Sequence, residues 1–213
     1  DRLFHDPFKA GYSPTIPRWL LRQTEAHTSV LINGQGHQYH DGREGTNASW
    51  SHARVTDFQT GPGWMMVTSD ATEAYALVQT DVTQVLRTLV FLKPDVVILV
   101  DRVTTRADAT VQVRFQAFND DNRASVSTKG SSFRIERPFA SVAARVTGPG
   151  SLLVQTGKLA LPEAEGVFPY AEVVSAAAKS HQILTVATTA PAGEGHGELQ
   201  ARYANDTWTF SGR

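Results

Sequence analysis

Three histidines, His27, His37 and His40, stand close together in EAHTSVLINGQGHQYHDG, residues 25–42. An imidazole nitrogen is a common zinc ligand, and a carboxylate such as Asp1, Asp6 or Asp41 could complete a site. His37 and His40 have the i, i+3 spacing of ligands on an irregular loop, and His27 precedes the apolar run Val30, Leu31, Ile32. The spacing matches no compact zinc motif. On spacing alone, solvated loop histidines are the plainer reading.

Other residues carry weaker signals. Asp101-Arg102 ends a long apolar run and reads as a structural ion pair or a charge at a sheet edge. Tyr75 alternates with Ala74 and Ala76 and reads as a core or sheet-face residue rather than a catalytic one. Trp19, Trp50 and Trp64 could stack on sugar rings, although large aromatics usually fill cores. The stretch from Gly34 to Gly36 is too short for a dinucleotide fingerprint and follows no βαβ unit.

The elements that must hold these residues read as strands. Asn33-Gly34 is a strong turn dipeptide after the run at Val30. Residues 82–92 and 95–103 are rich in Val, Leu and Ile and meet at a Lys93-Pro94-Asp95 corner, which predicts a β-hairpin. Val111, Val113, Phe115 and Ala117 alternate with Gln112, Arg114 and Gln116, the pattern of a half-buried antiparallel strand. Residues 49–58, 64–68 and 73–79 also read as strands, and short strands recur from residue 132 to residue 211, with Asn205-Asp206 as the last turn. The only helix candidate is the alanine-bearing segment 173–179. Residues 1–26, with Pro7, Pro14 and Pro17, read as an irregular lead-in in which Trp19, Leu20 and Leu21 form one short buried turn. The expected fold is all-β: a large two-sheet antiparallel β-sandwich, supersandwich-like, over residues 27–213.

At 213 residues the chain can bury a substantial core as one domain. A net charge of −1 argues against nucleic acid as the main partner and leaves room for a local basic groove facing an acidic sugar. No apolar run reaches the length of a membrane span. Cysteine is absent, so disulfides and thiolate chemistry are excluded. The chain begins at Asp1 rather than Met and is expected to be a processed or excised piece of a longer protein.

Three ordered motifs carry a resemblance: HTSVLINGQGHQ (residues 27–38), SDATEAY (69–75) and RTLVFLKPDVVILVDRV (87–103). In this order they resemble the C-terminal β-domain of the heparinase II/III-like polysaccharide lyases. The resemblance implies an N-terminal α/α-toroid as partner and an acidic polysaccharide or oligosaccharide as substrate. The implied reaction is cleavage of uronic-acid glycans by β-elimination, with most catalytic groups on the toroid. It implies a structural zinc with His27 as one ligand. The other ligands of such a site come from an upstream His-x-His segment, missing here, and from an aspartate, for which Asp1 and Asp6 both stay open. Thr28 stands where the family has Asn, and His37 and His40 match no family ligand. The expected location is the bacterial periplasm or the secreted fraction. A non-catalytic carbohydrate-binding or structural sandwich is the alternative.

Overall fold

The computed structural model describes residues 1–7, 9–37, 52–204 and 207–212. His40, Asp41, Trp50 and the Asn205-Asp206 turn lie outside them. The strands, in chain order, are β1 (Val30–Ile32), β2 (Arg54–Gly61), β3 (Trp64–Asp70), β4 (Val82–Leu92), β5 (Val96–Ala109), β6 (Val111–Gln116), β7 (Ser125–Lys129), β8 (Ser132–Glu136), β9 (Ala140–Thr147), β10 (Leu152–Lys158), β11 (Pro169–Ser175), β12 (Ala178–Pro191), β13 (Gln200–Ala204) and β14 (Thr207–Ser211). A single helical turn, α1 (Thr72–Ala76), separates β3 from β4.

An eight-stranded sheet, ordered β2-β3-β4-β5-β12-β9-β8-β7, packs on a four-stranded sheet ordered β1-β6-β11-β10. All their pairings are antiparallel, so the expected sandwich is what the chain forms. Alternation places the core. Val111, Val113 and Phe115 of β6 point inward with Val173 of β11, and meet Leu99, Val103, Ile135, Val142 and Ile183 of the large sheet. The Phe115 ring lies 4.7 Å from Phe133 and 5.6 Å from Phe4, distances at which aromatic pairs add to simple burial.

The other face of each sheet is covered in part. Short 3₁₀ turns at Pro17–Arg22 and Thr24–Ala26 bring Leu21 and Ala26 against Leu159 and Phe168. The lead-in thus caps the outside of the small sheet, which is why Gln116, on the polar side of β6, is fully buried. The β13–β14 hairpin lays Leu199, Ala201 and Trp208 on Ile98, Val100, Leu184 and Val186, outside the large sheet. The small sheet is narrower, and β2 remains an edge strand with Val55 65% and Phe58 60% exposed.

Two expected elements differ. Segment 73–79 is not a strand: α1 forms there, because Asp70 Oδ1 accepts the Thr72 N–H at 2.8 Å and turns the chain at once. Segment 173–179 is not a helix; it is the end of β11 and the start of β12, held by pairing of Val173 with Val154 and of Ala178 with Ala109. Because Phe115 is fully buried among rings, Phe115→Ala should lower stability by about 3–5 kcal/mol. Urea unfolding followed by tryptophan fluorescence measures this, and a loss under about 1 kcal/mol would contradict the assigned core.

Candidate functional site

His27 sits at the rim where the lead-in enters β1. Directly after β1, Asn33 (φ 52°) and Gly34 (φ 78°) turn the chain back, and Ile32 and Gln35 exchange backbone hydrogen bonds across that turn. Gly36 must be glycine, since a Cβ there would stand 2.2 Å from the Thr24 side chain. The close approach sets His37 Nδ1 at 3.1 Å from Thr24 Oγ1, with its ring 5.4 Å from that of Tyr75.

The N-terminal segment reaches the same rim by extending the small sheet. Phe4 bridges Ala117, His5 N–H donates to the Gln116 carbonyl, and Phe118 N–H donates to the Leu3 carbonyl. Asp6 then meets His27, with Oδ2 3.0 Å from Nδ1, and its Oδ1 accepts the Thr28 N–H at 3.4 Å. Asp1 goes elsewhere: its carboxylate accepts the Phe139 N–H at 2.7 Å. Of the two aspartates left open by the sequence, Asp6 is therefore the one that joins His27.

Thr28 fixes the histidine's backbone from two sides. Its hydroxyl accepts the Gln116 N–H at 3.2 Å, and its carbonyl accepts Arg87 Nη1 at 2.8 Å. Arg87 in turn donates from Nε to Asp101 Oδ1 at 2.6 Å, across directly paired positions of β4 and β5. Asp101 is 1% exposed, so it makes the structural ion pair expected of it, but with Arg87 rather than with its neighbour Arg102. Burial works against the Arg87 charge, and the Asp101 carboxylate outweighs it, leaving the guanidinium pKa above its ordinary value. Arg87 was the residue missed in the sequence, although it and Asp101 are equidistant from Pro94 in a predicted hairpin.

Tyr75 lies beneath this rim on α1. Its hydroxyl donates to the Val30 carbonyl, and burial pushes its pKa well above that of a free phenol, so it braces β1 and is not poised to take a proton. The His27 hydrogen bond holds the Asp6 carboxyl below its ordinary value. A depressed carboxylate stabilises the folded rim above pH 3.8 and loses that contribution as pH falls through the lower folded value. His37 is held below 6.5 by burial first and by the His27 charge second. Among the described residues no group of three or more His, Cys, Asp and Glu gathers as a metal cluster; the rim supplies the pair Asp6 and His27.

Two outcomes follow from this geometry. Arg87→Met leaves Asp101 buried without its partner and should cost about 3–5 kcal/mol, while Arg87→Met with Asp101→Val recovers most of it. Equal losses in the two proteins on urea unfolding would show that the pair is not what holds this corner. In metal-free protein, the NMR titration midpoint of His37 should lie below 6.5 and rise in His27→Gln, because the repelling charge is gone. A midpoint that stays put would separate the two imidazoles.

The fold has known counterparts. A sequence profile of the family "Heparinase II/III-like, C-terminal" matches residues 8–200. No curated protein sequence matches the chain. Among solved structures, heparinase III, the BT4657 gene product, aligns over 96% of this chain and 31% of its own with 15% identity and a TM-score of 0.70. A mutant of the heparan sulfate lyase HepC from Pedobacter heparinus aligns over 99% of this chain and 33% of its own, with 16% identity and a TM-score of 0.70. The chain thus spans about a third of the length of these enzymes, and at such identity they show the shared fold alone. With the profile covering most of its length, the chain belongs to the heparinase II/III-like C-terminal family.

Proposed function

We infer that this chain is the β-sandwich part of a polysaccharide lyase that cleaves uronic-acid glycans by β-elimination. The observation that carries the reading is the Asp6–His27 pair, held at the sandwich rim by Thr28 and Arg87, in a chain of this family. In the reaction a base takes the weakly acidic C5 proton, its electrons form the C4–C5 double bond, and the C4–oxygen bond breaks with the proton going to the leaving oxygen. Charge building on the uronate needs hydrogen-bonding or cationic groups close by. Tyr75 is engaged in bracing β1, and we place the base and most of these groups on an N-terminal α/α-toroid. The two known lyases that share the fold are about three times as long as this chain, leaving ample length for such a domain.

Among the described residues one wing of the large sheet, β2 and β3, is uncovered, and it is the surface we assign to that partner. Every residue of β3 is half-buried, and Val55 and Phe58 of β2 lie open beside it. Among the described residues no helix is long and apolar enough to cross a membrane, and we place the enzyme in the bacterial periplasm or outside the cell.

We propose that the rim residues hold a zinc ion. One imidazole and one carboxylate are ordinary zinc ligands, and they already meet at the rim, 3.0 Å apart in a hydrogen bond whose proton a zinc ion would replace. His27 and Asp6 would hold it, with further ligands from the toroid. Bound there, zinc would supply a cross-link between the lead-in and the first strand, and Thr28 and Arg87 fix the backbone that carries His27.

Zinc should copurify with the toroid-restored protein and fall by at least about tenfold in His27→Ala and Asp6→Ala, as read by elemental analysis. Unchanged zinc in both variants removes the ligand assignment. The isolated chain should give little unsaturated product from uronate polymers in an ultraviolet assay, and the toroid-restored enzyme should turn over. Robust turnover by the isolated chain overturns the division of labour, and binding without cleavage by the restored enzyme favours a carbohydrate-binding module instead.

A further inference from the structure

A groove on the outside of the large sheet is used by none of the chemistry above. Its floor is β8, β9 and β12, with the start of β5 at one end, and its roof is the β13–β14 hairpin with the segment leading into it. A cavity of about 400 Å³ opens there, with Arg134, Ala143, Arg145, Thr188 and His196 in its lining. Two adjoining cavities of about 330 and 380 Å³ extend it, one sharing Arg145 and Val186, the other sharing Thr188, and both sharing Leu199.

Strand register builds the pattern. Arg134 pairs with Ala143 and Ala143 with Thr188 in one row; Ser132 pairs with Arg145 and Arg145 with Val186 in the next. The two guanidiniums are therefore diagonal neighbours on one face, and the small Ala143 lowers the floor beside them. Arg134 Nε lies 3.0 Å from Glu136 Oε1 in an ion pair too poorly angled for a hydrogen bond. Among the described residues Arg145 has no carboxylate partner. His196 Nε2 is 3.1 Å from Ser141 Oγ, and Glu198 is the carboxylate in the cavity lining. Two nearby like charges on a sheet face destabilise it unless an anion lies between them, and a guanidinium fork matches a carboxylate or sulfate.

We propose that this groove is an anion-recognising subsite for an acidic oligosaccharide, with a carboxylate or sulfate held between Arg134 and Arg145 and His196 at its border. From β5 to β8 the groove crosses three interstrand spacings, about 14 Å, which suits an extended saccharide better than a lone anion. Leu199, half-buried at the roof, offers apolar surface to the C–H face of a sugar ring. The glycan class rests on the proposed function; the groove rests on its own residues.

Calorimetric titration of the full chain tests it with three probes: a sulfated uronate oligosaccharide, an uncharged oligosaccharide of equal length, and inorganic sulfate. Only the first should bind saturably, and Arg134→Gln with Arg145→Gln should weaken it by at least about tenfold. Ala143→Phe should block the floor while keeping both charges. Arg145 is exposed, so Arg145→Gln alone keeps the test readable if Ala143→Phe disturbs the sheet. No binding of the first probe, equal binding of all three, or affinity unchanged in the arginine variants overturns the subsite. Loss of binding in those variants with no turnover by the toroid-restored enzyme keeps the subsite and removes the lyase reading.

Discussion

The Arg87–Asp101 ion pair is the constraint on which the rim depends. It joins β4 to β5 at directly opposed positions, and the same guanidinium reaches out of the hairpin to the Thr28 carbonyl. One side chain therefore couples the register of the large sheet to the first residues of the small one. Its worth lies less in net energy, since desolvation offsets much of the attraction, than in what a wrong arrangement would cost. A slip of β4 by one residue would turn Arg87 to the opposite face and leave Asp101 charged in an apolar layer. Among the described residues, Arg87 Nη2 and Asp101 Oδ2 are buried with no hydrogen-bond partner, so the pair is held by geometry rather than by full satisfaction of its atoms.

The second constraint is how the sheets are covered. A sandwich buries one face of each sheet, yet here β5 and β12 are buried on both faces through much of their length. The inner face meets the small sheet, and the outer face meets the C-terminal hairpin. The lead-in does the same service outside β6, where Arg114 pairs with Glu172 and donates to the Glu25 carbonyl. The histidine rim and the arginine groove thus lie under different covers, on different sheets, and neither needs the other to form.

Much of this was legible in the residues. The apolar runs on either side of Lys93-Pro94-Asp95 became β4 and β5, and the alternation at Val111, Val113 and Phe115 became the inward face of β6. Asn33-Gly34 made its turn because those two residues accept positive φ. The misread element, α1, is too short for a helical period to emerge, and Ala-Tyr-Ala mimics strand alternation; the deciding contact is Asp70 with the Thr72 amide. The choice of Asp6 over Asp1 was not legible, since it depends on residues 3–5 running beside residues 116–118, a pairing no local pattern encodes. The groove was hidden for the same reason: Arg134, Arg145 and His196 meet only once β8 and β9 are in register and the hairpin has folded over them.

Among the described residues the outer margin of β2 is bare, and this has a practical meaning. An edge strand presents a row of backbone donors and acceptors without neighbours, and here it shows Val55 and Phe58 to solvent as well. Such a margin is a template on which another copy's strand can add. Arg54 and Asp57 interrupt the apolar positions and blunt that tendency. Strand addition between copies at this margin is the route by which high concentration would drive the sandwich to associate.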